Sequence, residues 1–198
     1  MSLKSAINAR RSLEMVAANQ LLIGSLFFVG AAQFVLAMII AEARYPDYSI
    51  ANNAISDLGV GRTARLFNAS VMVFGAAIVC GALIGTGLFG PVPTLFIVLA
   101  GAGAVGVGIF PETTGRRHLR CALVAFLFGG LSAIAAFSHE GVPFAYYSMG
   151  LGIVSLTALV LLARKHMHGI GFGGMERLVA YPIILWALGL GGFLLCAT

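Results

Sequence analysis

Asn53, Ser56 and Asp57 lie in the least apolar stretch of the chain, from Arg44 to Gly59, and their spacing sets up chemistry. With Ser49 capping a short helix that stops at Gly59, Asn53 and Asp57 fall four residues apart on one face, with Ser56 beside them. A carboxylate next to a hydroxyl can take its proton, or both can hold a ligand's polar group. Asp57 can equally cap the segment or pair with Arg62 or Arg65, in which case it only anchors a loop. Further along, Glu112 and His118 bracket Arg116 and Arg117, and a carboxylate with an imidazole suits acid–base work or a metal ion. Glu176 and Arg177 stand at the head of the last apolar run. There the carboxylate suits the positive end of a helix, and the guanidinium can fork onto a phosphate or reach Asp57.

These groups make one site only if the elements carrying them meet. Composition says what those elements are: 60% of the 198 residues are hydrophobic and 10% charged, against roughly 25% charged in an ordinary soluble domain. Such a chain cannot cover a water-facing surface and must face lipid. Apolar runs at about 19–42, 65–89, 91–110, 119–138, 142–163 and 177–197 are each long enough to cross a hydrocarbon core. Each must be helical, because lipid offers the backbone no hydrogen bonds. The expectation is an all-α polytopic membrane protein, a bundle of six transmembrane helices over 19–198. An interfacial or irregular segment at 1–18, with Lys4, Arg10, Arg11 and Glu14 among Leu3, Ile7, Leu13 and Met15, precedes it. The first run ends in Ala41-Glu42-Ala43, which imitates a signal-peptidase site, but it is too long for a signal sequence and reads as a retained helix.

The loops differ by parity. The second, around Phe89-Gly90-Pro91, and the fourth, around Ser138-His139-Glu140-Gly141, are short, whereas the first, third and fifth are longer and polar. The odd loops and their flanks hold Arg44, Arg62, Arg65, Arg116, Arg117, Arg120, Arg164, Lys165 and Arg177, nine of the twelve basic residues. By the positive-inside rule these loops are cytoplasmic, although Lys4, Arg10 and Arg11 favour the reverse. The same loops carry Asn53, Ser56, Asp57, Arg62, Glu112, Arg116, His118, Glu176 and Arg177, so one face of the membrane gathers the candidate ligand-binding residues.

Several functions are disfavoured. The net charge of +5 reflects membrane-flanking clusters, not a nucleic-acid surface. Cys80, Cys121 and Cys196 lack metal or disulfide spacing. His166 and His168, two apart, point to different sides of a regular element, and His139 belongs to the other face, so no metal is expected and no cofactor motif occurs. No Asp, Glu, Lys or Arg stands at mid-depth in a span, as a pump or ion-coupled transporter would need. Gln33, Asn68, Ser132, Tyr146, Tyr147, Ser148, Ser155 and Thr157 suffice for bonds between helices or a modestly polar pocket. Small residues four apart, Gly81 with Gly85 and the run from Gly101 to Gly108, favour close helix contact, and Pro182 a kink.

Asn53 with Ile55-Ser56-Asp57-Leu58-Gly59, Leu66-Phe67-Asn68, Ile109-Phe110-Pro111 before His118, and Gly174 with Glu176-Arg177 before Trp186 resemble the family catalogued as domain of unknown function 998. The Ile-Ser-Asp element is also similar to the Frag1/DRAM/Sfk1 group, some of whose members act in lipid remodelling or autophagy. The resemblance implies a six-helix membrane fold with an uncharacterised role and draws attention to Asn53, Ser56, Asp57, His118, Glu176 and Arg177. Three functions stay open. The leading one is binding of a lipid headgroup or small amphiphile, with membrane lipids as partners. The second is a lipid-modifying hydrolase or transferase with His118 or Asp57 as base and Ser56 as nucleophile. The third is an accessory subunit of a homo-oligomer or larger membrane complex.

Overall fold

The computed structural model describes the backbone of residues 3–197 and, in the first helix, the side chains of residues 8, 10 and 14 onward. The chain runs through α1 (Leu3–Arg44), α2 (Ala64–Ile84), the single turn α3 (Thr86–Phe89), α4 (Pro91–Ile109), α5 (Arg116–Ala135), α6 (Phe144–Ala163) and α7 (Gly171–Cys196). All but α3 are long and apolar enough to cross a membrane, and no strand occurs among the described residues. Gly90, at φ 77°, turns the chain between α3 and α4, and Pro91 opens α4 at a position where its missing N–H costs nothing.

Around the bundle the neighbours run α1, α2, α4, α5, α6, α7 and back to α1. Large apolar side chains such as Leu36, Val73, Leu95, Leu123 and Ile153 point outward, as a lipid-facing surface requires. Phe27, Phe34, Phe67, Phe74, Ile78, Trp186 and Leu190 fill the interior. Without a hydrophobic drive between helices in lipid, close backbone contact and buried hydrogen bonds hold such a ring. A Cβ on Gly75 would stand 2.5 Å from the Gly101 carbonyl oxygen, and one on Gly103 2.5 Å from the Ala125 nitrogen, so α4 is pressed against both α2 and α5. Gly81 and Gly85 serve differently, making room for the rings of Phe27 and Phe89. Gln33 Nε2 donates across to the Ser70 carbonyl at 2.9 Å, Ser155 Oγ to that of Val179 at 2.8 Å, and Trp186 Nε1 to Ser148 Oγ at 3.1 Å. Gln33, Tyr147, Ser148 and Ser155 thus join helices, whereas Ser132 bonds back along its own helix to the Phe128 carbonyl.

Three expectations change. Residues 3–18 continue into the first span as one helix, and the side chains that suggested an interfacial pattern there lie largely outside the described residues. No helix spans 49–59. Ser49 N donates to Asn53 Oδ1 (3.0 Å), Asn53 N to the Ser49 carbonyl (2.7 Å), and a 3-10 helix covers only Ser56–Gly59. Short polar side chains here compete for the backbone groups that an α-helix would use. Finally, α7 begins at Gly171 and not near 177, so Glu176 and Arg177 lie more than a turn inside it.

Candidate functional site

Loop 1 lies across one end of the ring. The start of α7 has no room for side chains beneath it, because a Cβ on Gly171 would strike the Ala51 carbonyl and one on Gly173 that of Asn53. The Gly173 N–H donates to the Ala51 oxygen at 2.9 Å. Arg177, 4% exposed, fastens the arrangement. Its Nη1 donates to the carbonyls of Ile50 (3.2 Å), Asn53 (3.1 Å) and Gly173 (3.0 Å). Its Nη2 donates to Glu42 Oε1 at 2.7 Å and to the Tyr48 hydroxyl. One guanidinium thus ties α7 to α1 and to loop 1. Tyr48 passes the connection on by donating to the Ala54 carbonyl at 2.9 Å. Burial pushes its hydroxyl pKa up to about 12, with the guanidinium working the other way.

Glu176, beside Arg177, turns inward. Its Oε2 accepts the Ile55 N–H at 2.6 Å, a bond between residues 121 apart in sequence. Asp57 Oδ2 accepts from Asn53 Nδ2 (2.9 Å) and from the Ala54 N–H (3.0 Å), so the expected face of Asn53 and Asp57 exists, built on turns. Loop 3 then closes in. The Glu112 carboxyl comes within hydrogen-bonding reach of Asp57 and Ser56, and its pKa is raised from 4.5 to about 7. Burial is the first cause, followed by the hydrogen bond with Asp57 and the charges of Asp57 and Glu176, while Ser56 opposes the shift. His118, at the start of α5 and 8% exposed, places Nδ1 2.8 Å from the Phe110 carbonyl. A carbonyl only accepts, so Nδ1 carries a proton and donates it to Phe110.

Ser56, His118 and Glu176 share the wall of a cavity of about 80 Å³ that runs into the bundle. The rest of the wall is apolar: Phe34, Phe67, Phe74, Ile78 and Ile184 supply bulk, while Ala100, Ala104, Ala122, Ala125 and Ala180 leave the space. A polar mouth on an apolar shaft is the chemical outline of an amphiphile.

The arginines are arranged otherwise than expected. Arg177 spends its donors inside the protein and reaches neither Asp57 nor a phosphate at the surface. Arg62 is exposed beside Ala43 and Arg44, and Arg116 is exposed before His118. Arg117 stacks its guanidinium 5.9 Å from the Phe110 ring. No arginine pairs with Asp57 among the described residues, whose ion pairs are Arg10 with Glu14 and Arg177 with Glu42. The residues missed by the sequence reading are Glu42 and Tyr48. A lone carboxylate at the end of one apolar run, matched by a lone arginine at the head of another, was the available signal. Among the described residues no group of three His, Cys, Asp or Glu side chains is placed to hold a metal ion.

The motifs that converge here are those that carry the family resemblance. The family model described as "Protein of unknown function (DUF998)" matches residues 28–192. The chain belongs to this family. No curated protein and no solved structure matches it, and the similarity to the Frag1/DRAM/Sfk1 group stays an expectation. For this DUF998 chain the match covers the whole latch of Glu42, loop 1 and Arg177 together with His118 and the cavity.

Proposed function

We propose that this DUF998 protein binds an amphiphile, with an apolar segment in the alanine-walled cavity and a polar head against Ser56, Glu176 and His118. The observation carrying this reading is the cavity itself, an apolar shaft ending at three polar side chains that are all at least nine-tenths buried. Glu176 and His118 each use one polar atom within the protein, and a ligand head can meet the acceptor capacity that remains. The arginine pattern of the odd loops further supports a cell-membrane protein whose site faces the cytoplasm.

Filling the shaft tests this. Ala104→Leu, with Ala125→Leu as an independent variant, is expected to lower binding of dodecyl amphiphiles by about tenfold or more while leaving thermal unfolding nearly unchanged, since the added methylenes occupy existing space. Native mass spectrometry of the purified chain reads the binding; unchanged binding in both variants rejects the reading.

A second reading, a lipid hydrolase or transferase, draws on one observation. The Phe110 carbonyl orients His118 as a base with Nε2 free, on the wall that also carries Ser56. His118→Asn keeping ligand binding but abolishing turnover of a lipid ester would support it. Full turnover in that variant would remove it.

A further inference from the structure

The mouth of the cavity discriminates between head groups, and it does so against the phosphate that the arginine-rich loops suggested. Every group presented to the cavity at its polar end can accept. Glu176 is 7% exposed, and its Oε2 holds the Ile55 N–H. Its Oε1 meets no donor among the described residues, is not sealed from the cavity, and belongs to a side chain that lines it. His118 commits its Nδ1–H to Phe110, which in the neutral tautomer leaves the Nε2 lone pair as an acceptor. Ser56 lines the same end, and its hydroxyl oxygen carries lone pairs that can accept. Behind this shell stand two further carboxyls, Asp57 and Glu112. The one buried cation nearby, Arg177, has both terminal nitrogens bonded to Glu42, Tyr48 and backbone carbonyls.

Resting on the amphiphile reading, we infer that the head is a primary ammonium, whose three N–H donors meet Glu176, His118 and Ser56, carried on a single apolar chain. An anionic head would meet the Glu176 carboxyl in the cavity wall with Asp57 and Glu112 behind it, and the unpartnered Nε of Arg177 belongs to a side chain that does not line the cavity. A quaternary ammonium has no N–H to give. The size of the cavity favours one chain: a dry apolar cavity of about 150 Å³ holds one benzene, and this one is about 80 Å³, so it takes only the few carbons next to the head, and the rest of a dodecyl chain or lipid tail lies outside it.

Of the titratable groups, Glu176 and His118 line the cavity, Asp57 and Glu112 stand behind them, and Arg177 is directed toward Glu42. Since Glu112 gains its charge near pH 7, ammonium affinity should rise between pH 6 and pH 8, whereas an anionic head would weaken over the same range. The experiment compares dodecylamine, dodecanol, dodecyl phosphate and dioleoylphosphatidylethanolamine on the full chain in nanodiscs, read by native mass spectrometry. Expected are at least a tenfold preference for dodecylamine over dodecyl phosphate at pH 8, a several-fold smaller preference at pH 6, and loss of the preference in Glu176→Gln. The glutamine still accepts the Ile55 N–H, so its fold is spared, and the pH dependence of the native chain provides a test independent of the variant. Phosphatidylethanolamine binding as well as dodecylamine would assign the ammonium to a membrane lipid; its failure beside a bound dodecylamine would assign a free single-chain amine. Dodecyl phosphate or dodecanol binding as tightly as the amine overturns the inference and leaves the cavity reading standing. Should none of the four bind, both fall.

Discussion

The two ends of the bundle each bury a glutamate, and they treat it in opposite ways. At the odd-loop end Glu176 accepts a short backbone hydrogen bond, and the arginine beside it clamps loop 1 to α1 and α7. At the other end Glu140 follows the 3-10 helix Ala136–His139, and both of its oxygens are sealed from solvent without a full hydrogen bond. Ser148 and Trp186 lie near enough to ease its charge but are bonded to each other. Burial is the first cause of a Glu140 pKa raised to about 6. Both carboxyls are thus taken out of water, but the first is bonded into the network that joins loop 1 to α7, whereas the second has no hydrogen-bond partner. The contrast separates an end organised by hydrogen bonds between loop and helices from one that closes over an unbonded carboxyl.

The sharpest way to break the contrast is to remove the clamp. Arg177→Met leaves Glu42 and three carbonyls without their donor and should cost on the order of 3–5 kcal/mol, seen as lower thermal stability in detergent and as rapid amide exchange across 48–57. If exchange in loop 1 stays slow, the clamp is not what holds it. Next in size, Gly173→Ala pushes a methyl into the Asn53 carbonyl and should cost about 1–3 kcal/mol. The same substitution at Gly150, which meets nothing within 4 Å, should be nearly silent.

Glu140→Gln sharpens the other half and has the smallest effect. The folded pKa of Glu140 lies above its ordinary 4.5, so the folded state binds the proton more tightly than the unfolded one. Its contribution is fully present below about pH 4.5 and is lost as pH rises through about 6. Glutamine mimics the protonated form, so at pH 7.5 the variant should match or exceed the native chain by on the order of 1 kcal/mol. The gain should vanish on acidification to pH 4.5; an equal gain at both pH values would show that ionisation is not involved.

How far these arrangements could be read from sequence depended on range. The six spans were legible because hydrocarbon demands long apolar helices, and Asn53 with Asp57 because four residues separate them on any tight turn. Arg177 and Glu42 lie 135 residues apart, and no local rule pairs them. The excess of arginines in the odd loops suggested phosphate, yet exposure at Arg62 and Arg116 and internal bonding at Arg177 leave acceptors in command of the mouth. Glu140 was overlooked because its loop is short and bland, whereas its environment is set by Ser148 and Trp186 on two other helices. The start of α7 was misjudged because consecutive glycines oppose a helix; here loop 1 needs the bare backbone they provide.

The unbroken course of α1 has its own consequence. At about 1.5 Å per residue, the 34 steps from Arg10 to Arg44 cover about 51 Å, whereas headgroups and hydrocarbon together measure about 40–45 Å. Held at one end through Glu42, a rod of that length either tilts within the bilayer or carries the exposed Arg10–Glu14 pair past the headgroups on the side away from the site.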